Sequence, residues 1–306
     1  MAGTPIGEQR LNEFARAELE AARRDPRIDR ERGAMVADFW SAFEEAERAR
    51  SFGIAGLHEL QQALERTEAG LGISRDDQGL DRRAVAELQV AWERAEMARA
   101  EIEAGHPHLN AQALLAIDSA LDALVEELAP ALRAMRIDWL IDNAFKHADA
   151  EVPEAVAQVS PEMREAIVGA ARSVVEGHVP EPKRLCGEGA ERYEAVLAQE
   201  GLCAPADRPI PDELAEALTE LSAIRDVLVH RAGRVDERAL KAAPSLRLRY
   251  EDGQLIRITR EEYRTYSAAV RCYAMEILYR PLRSWPAADD AKHGPDLVGW
   301  RGYYRV

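Results

Sequence analysis

Residues 211–231 carry an apolar side chain at every third or fourth position, at Leu214, Leu218, Leu221, Ile224 and Leu228. This spacing matches the 3.6-residue turn of an α-helix and puts the five side chains on one face. The segment is therefore predicted to form a helix with an apolar stripe. Gly233 favours the left-handed backbone that ends many helices, so we expect the helix to stop shortly before it.

The rest of the chain is also predicted to be mainly helical, because helix-forming alanine, leucine, glutamate and arginine dominate and aromatic residues make up only 6%. The further predicted helices cover about 8–24, 29–50, 54–69, 81–104, 110–149, 161–177, 188–200 and 260–280. Residues 246–259 are the exception, since Asp252-Gly253 between two apolar-rich runs predicts a β-hairpin. Thr259 and Glu262 have the spacing of a capping box that opens the final helix. The predicted fold class is an all-α helical bundle with one short hairpin.

The chain of 306 residues is long enough for one large domain or two of ordinary size. The break at Gly105-His106-Pro107-His108 predicts a domain boundary near residue 105. Residues 1–105 then form a helical N-terminal region without an assigned role, and 106–280 form a second helical domain. Residues 281–306 form a tail rich in proline and aromatic residues.

The sequence offers no membrane, cofactor or metal signal. No stretch approaches the roughly 18 uncharged apolar residues of a membrane helix, and the N-terminus lacks the pattern of a signal peptide. The cysteines Cys186, Cys203 and Cys272 are odd in number and widely spaced, which predicts free thiols in the cytoplasm. Motifs for ATP, dinucleotide, serine-hydrolase and zinc-protease chemistry are absent. We expect neither a cofactor nor a bound metal.

Arg225 and His230 near the end of the predicted helix suit RNA cleavage without a metal. Histidine titrates near neutral pH and can take the proton of a ribose 2′-hydroxyl, while arginine offers a planar fork of donors to a phosphate. Arg225 falls inside the apolar stripe, so it needs a partner or a groove. Asp226 lies four residues before His230 and could orient or charge its imidazole.

Five residues correspond to about 140° around a helix, so Arg225 and His230 should not meet on one straight helix. Two solutions remain open: the last turn is distorted, or a second copy of the chain completes the site. The apolar stripe could supply the two-fold interface for the second.

Residues 223–237, Ala-Ile-Arg-Asp-Val-Leu-Val-His-Arg-Ala-Gly-Arg-Val-Asp-Glu, resemble the conserved helix and exit loop of HEPN proteins (higher eukaryote and prokaryote nucleotide-binding). The resemblance covers about 211–240, is looser over 108–280, and does not extend to 1–105. It implies a helical bundle that dimerises through the 211–231 helix, with both Arg-His pairs facing one cleft. In active members this cleft is a metal-independent endoribonuclease, while other members have lost the activity.

The net charge of −15 counts against nucleic acid as a partner, but the charge is unevenly spread. From 223 to 260 there are nine basic and five acidic residues, which suits an enzyme that binds RNA briefly. Arg231, Arg234 and Arg238 are the predicted RNA-binding residues. Surface ion pairs are the alternative for each of them.

Weaker candidates lie elsewhere. His106 and His108 could be half of a metal site, or simply a pair of loop histidines. Asn143 and His147 are four apart on a helix and could reach the cleft, or could be solvated.

Two functions are therefore weighed. In the first, the protein is a HEPN-type endoribonuclease, acting as a toxin or antiviral effector beside an antitoxin or defence partner. His230 is then the general base, Arg225 stabilises the phosphate, Asp226 orients one of them, and cleavage leaves a 2′,3′-cyclic phosphate and a 5′-hydroxyl. In the second, the domain is an inactive HEPN-like sensor, ligand-binding or scaffold module.

Overall fold

The computed structural model describes residues 30–71, 82–151, 160–178, 189–199 and 209–284, and within them the chain is helical with no β-strand. The α-helices are α1 (Arg30–Leu71), α2 (Arg82–Glu103), α3 (Pro107–Glu151), α4 (Pro161–His178), α5 (Gly189–Gln199), α6 (Asp212–His230), α7 (Glu237–Ala242) and α8 (Arg260–Ser284). A 3₁₀ helix spans Pro244–Leu248. The prediction of an all-α fold is confirmed. The helix predicted at 8–24, Cys186, Cys203 and most of the 281–306 tail lie outside the described residues.

Helix α1 is continuous where the sequence predicts a break between residues 50 and 54. Gly53 explains this, because Leu109 of α3 packs where its side chain would be, with a methyl carbon 2.8 Å from an ideal Cβ position. The glycine therefore permits close contact between two helices and does not interrupt α1.

None of the described helices has an apolar stretch long enough to cross a bilayer.

One hydrophobic cluster joins α1, α3, α5, α6 and α8. Phe39, Trp40 and Phe43 of α1 belong to the same buried cluster as Ile224 of α6 and Ile277 of α8. Residues on both sides of position 105 thus share a core. The domain boundary there stays a prediction.

The hairpin predicted over 246–259 does not form. Leu246 and Tyr250 are both buried, and the Tyr250 N–H donates to the Leu246 carbonyl at 2.8 Å, so this stretch coils toward the core. Leu255 forms its bridge with Arg234 in the loop after α6 instead. The turn at Asp252-Gly253 is present, with Gly253 at φ +79.

The predicted C-terminal end of α6 and the predicted N-terminal cap of α8 are both present. The Gly233 N–H donates to the Val227 carbonyl at 3.1 Å with φ +76 at the glycine, which ends α6 at His230. Thr259 and Glu262 form the capping box, with 2.8 Å from the Thr259 N–H to the carboxylate. The helix that carries the motif is thus terminated as its sequence indicates.

Gly189 at the start of α5 should be intolerant of a side chain. Its φ is +56, and an ideal Cβ would lie 2.6 Å from the Cα of Thr219 in α6. We expect Gly189→Ala to lower the free energy of unfolding by about 2–4 kcal/mol, from backbone strain and displacement of α5. Urea denaturation would measure this.

Gly56→Ala is the matched control, because Gly56 lies within α1 and has no atom within 4 Å of the new Cβ. It should be neutral or stabilising by up to about 1 kcal/mol. Equal effects of the two substitutions would contradict the close packing of α5 on α6.

Candidate functional site

Helices α5, α6 and α7 enclose a cavity of about 300 Å³ at the C-terminal end of α6. Its lining contains three arginines, one histidine, one aspartate and a set of small or apolar side chains: Arg192, Ser222, Ala223, Arg225, Asp226, Val229, His230, Arg238, Ala239 and Ala242. Arg225, His230 and Asp226, the predicted catalytic residues, are thus brought to one cavity of a single chain.

The cavity resolves the geometric difficulty posed by the five-residue spacing. Helix α6 remains helical to His230, and the Arg231 N–H still donates to the Val227 carbonyl at 3.0 Å. At about 100° per residue, Val229, Ser222 and Asp226 fall between Arg225 and His230 around the helix. All five line the cavity, so it spans the arc of about 140° that separates the two motif residues. Neither a distorted turn nor a second chain is needed for both residues to face one cavity.

Arg225 finds its partners on α3. Its Nε lies 3.2 Å from Oδ2 of Asp118, and its Nη2 lies 3.3 Å from Oδ2 of Asp122. The two aspartates are four residues apart, so they share one face of α3. The partner that an arginine in the apolar stripe requires is therefore a pair of carboxylates, while 36% of the Arg225 side chain stays exposed.

A second arginine, Arg192 of α5, completes this group. Arg192 donates to Asp122 and, at 2.6 Å, to the Tyr193 hydroxyl, which donates in turn to Asp122 at 2.7 Å. We call Arg192, Arg225, Asp118 and Asp122 the arginine–aspartate cluster. Its two positive and two negative charges balance, which makes a partly buried set of charges tolerable.

Burial raises the pKa of Asp118 to about 6, and the adjacent Asp122 carboxylate adds to the effect. Arg192 and Arg225 oppose this increase, because each favours the ionised carboxylate. Burial also raises the pKa of Tyr193, so its hydroxyl remains a proton donor.

His230 is accessible, with 65% of its side chain exposed, and its Nε2 lies 4.0 Å from Oδ1 of Asp226. The predicted i,i+4 relation thus places the carboxylate at ion-pair distance from the imidazole. Asp226 also lines the cavity, so the two side chains of this pair face the same site.

The three predicted RNA-binding arginines have different surroundings. Arg231 pairs with Asp236, with 3.0 Å between Nε and Oδ2, and Arg234 donates to the Gly253 carbonyl at 3.2 Å. Arg238 lines the cavity. Arg231 therefore forms a surface ion pair, which was the alternative to RNA binding. Of the three arginines, Arg238 is the one that lines the cavity.

Sequence reasoning missed Asp118, Asp122, Arg192 and Ser222. The sequence did contain a signal for the two aspartates. Both lie in a part of α3 where most other residues, among them Leu121, are apolar and buried. Two acidic residues in an apolar segment need a positive partner, and Arg225 in the apolar stripe of α6 needs a negative one, so a pairing between them could have been predicted. Nothing in the local sequence marks Arg192 or Ser222.

His106 and His108 do not line the cavity. His108 Nδ1 is 2.6 Å from a Glu101 oxygen, and the His106 ring stands 5.8 Å from that of His58. Over the described part of the chain, no group of three His, Cys, Asp or Glu residues is placed to hold a metal ion. The side chains of Asn143 and His147 lie outside the described residues.

Comparison of the chain with protein-family models, with curated proteins and with solved structures gives no match. The likeness to HEPN proteins therefore still depends on the motif at 211–240 and the looser similarity of layout over 108–280, and membership of that family stays a prediction.

Asp118→Asn should change how stability depends on pH. A carboxyl whose pKa is raised from 3.8 to about 6 by folding favours the folded state while protonated. That contribution is complete below about pH 4 and is lost as the pH rises through about 6. The unfolding free energy of the unsubstituted protein minus that of Asp118→Asn should therefore fall by roughly 2–3 kcal/mol between pH 4 and pH 7.

Urea denaturation at several pH values would measure this difference. Asp38→Asn, at an exposed position on α1, is the control and should give a flat difference. A flat or rising difference for Asp118→Asn would contradict the raised pKa.

Proposed function

We propose that the cavity is the active site of a metal-independent endoribonuclease. The observation that carries the proposal is that Arg225 and His230 face one cavity, with a further arginine, Arg238, in its wall. Charge-stabilising and proton-accepting groups in one concave site are what attack by a 2′-hydroxyl on a phosphodiester requires. The HEPN-like motif supports the same reaction class.

In this mechanism His230 accepts the proton of the ribose 2′-hydroxyl, and the 2′-oxygen attacks the adjacent phosphorus. The bond from phosphorus to the 5′-oxygen breaks, leaving a 2′,3′-cyclic phosphate and a 5′-hydroxyl. Arg225 donates hydrogen bonds to the phosphate oxygens as negative charge develops. Within the described residues His230 is the lone histidine of the cavity, so water protonates the leaving 5′-oxygen.

Asp118 and Asp122 hold the Arg225 guanidinium in place, which limits the reorganisation needed when the phosphate arrives. Asp226, whose Oδ1 lies 4.0 Å from the His230 Nε2, orients the imidazole. The proposed biological setting is a toxin or antiviral effector, regulated by an antitoxin or a defence partner.

The second candidate is an inactive HEPN-like module that binds a ligand or serves as a scaffold. The observation that favours it is the pairing of Arg225 with two carboxylates, because these ion pairs compete with a phosphate for the same guanidinium. In this case the arginine–aspartate cluster is structural, and the cavity binds an anion without cleaving it.

Incubation of the purified protein with total RNA in excess chelator separates the two candidates. We expect cleavage with cyclic-phosphate ends, and a loss of about 100-fold or more in rate for His230→Ala and for Arg225→Ala. His108→Ala is the matched control, since His108 is an exposed histidine away from the cavity and should leave the rate unchanged. Full cleavage by His230→Ala would contradict the mechanism.

The proposed homodimer through α6 would use a face of this helix other than its apolar stripe. The apolar residues of α6, including Leu218, Leu221 and Ile224, are buried within the chain, whereas Val229 is 54% exposed. If two chains meet at the cavity end of α6, Val229→Asp should shift the mass measured by light scattering from dimer toward monomer. A dimer that persists in Val229→Asp would place the interface elsewhere.

A further inference from the structure

The cavity contains two kinds of arginine. Arg192 and Arg225 are held by Asp118 and Asp122, so their charges are balanced within the protein. Arg238 lies in the part of the cavity wall that α7 forms, and its side chain is exposed. Over the described part of the chain, no carboxylate lies within ion-pair distance of the Arg238 guanidinium.

The acidic neighbours of Arg238 are already paired with other arginines. Asp236 binds Arg231 at 3.0 Å, and Glu237 binds Arg247 at 2.9 Å. Arg238 is thus left with a full charge and unused donors in a chain whose net charge is −15. A guanidinium in this state, facing a concave site, is suited to bind an anion.

The backbone that carries Arg238 is well anchored. Asp236 caps α7 by accepting the Ala239 N–H at 2.9 Å, and both Ala239 and Leu240 are buried. The preceding residue Val235 exchanges backbone hydrogen bonds with Gln254 and Gly253 at 2.9 and 2.8 Å. The backbone that carries Arg238 is therefore held in place before a ligand arrives, so binding has to order only the arginine side chain.

We propose that Arg238 binds the RNA phosphate in the ground state, while Arg225 acts on the charge that develops in the transition state. This inference rests on the proposed ribonuclease function and assigns the two arginines to different steps. Loss of Arg238 should then raise KM with little change in kcat, and loss of Arg225 should mainly lower kcat.

The test uses the full-length protein and a fluorescein-labelled, single-stranded RNA of mixed sequence with 2′-O-methyl riboses. This probe lacks the attacking hydroxyl and cannot be cleaved by the proposed route. Binding is followed by fluorescence anisotropy in chelator. Arg238→Ala should weaken binding by roughly tenfold to 100-fold, as expected for loss of a charge-assisted hydrogen bond.

Two variants sharpen the result. Lys241→Ala removes the same charge from an exposed position of α7 that does not line the cavity, and should weaken binding by less than about threefold. Arg238→Lys keeps the charge but loses the planar fork, so its affinity should be intermediate. The slope of log Kd against log salt should fall by about 0.7 in Arg238→Ala, as for one lost phosphate contact on a single strand.

Equal weakening by Arg238→Ala and Lys241→Ala would overturn the inference, and so would a protein that does not bind the probe. Cleavage of ordinary RNA, measured in parallel, separates this outcome from failure of the proposed function. If the protein cleaves RNA and Arg238→Ala leaves KM unchanged, the nuclease stands and the role of Arg238 is wrong. If Arg238→Ala loses binding but the unsubstituted protein never cleaves, the anion site stands and the nuclease is wrong.

Discussion

The ion pairs of Arg225 with Asp118 and Asp122 are the interaction on which the site depends. They allow a charged residue to lie in the apolar stripe of α6, where an unpaired guanidinium would be costly. Arg192 binds the same carboxylates, so the cluster ties α3, α5 and α6 together beside the cavity. Removal of one member would leave the remaining charges of this partly buried cluster unbalanced, which destabilises the packing of the three helices.

This balance of charge also determines what remains available to a ligand. Two arginines of the cavity are paired with aspartates of α3, whereas Arg238 and His230 line the same cavity with exposed side chains. An acidic chain can therefore present a local site for an anion. In the proposed function, such a site suits a transient contact with RNA, unlike the broad coating surface of a strongly basic protein.

The features that could be predicted from sequence are those set by local contacts. The extent of α6, its end before Gly233 and the Thr259 capping box depend on residues a few positions apart. The need of Arg225 for a partner was also predictable, but its identity was not, because Asp118 is distant in the chain. The hairpin prediction was wrong for the same reason. Leu255 forms its backbone bridge with Arg234, which is more distant in the chain than the predicted hairpin partner strand. Arg192 reaches the cavity only through the packing of α5 on α6, which no local pattern encodes.

The central claim is that the cavity directs a ribose 2′-hydroxyl onto the neighbouring phosphate. The most direct measurement uses one RNA oligonucleotide whose cleavage position has been mapped, together with a copy carrying a single 2′-deoxyribose just before that bond. We expect the deoxy substitution to abolish cleavage at that bond and to leave binding nearly unchanged. Cleavage of the deoxy bond at the original rate would show that water is the nucleophile, and would contradict attack by the 2′-hydroxyl.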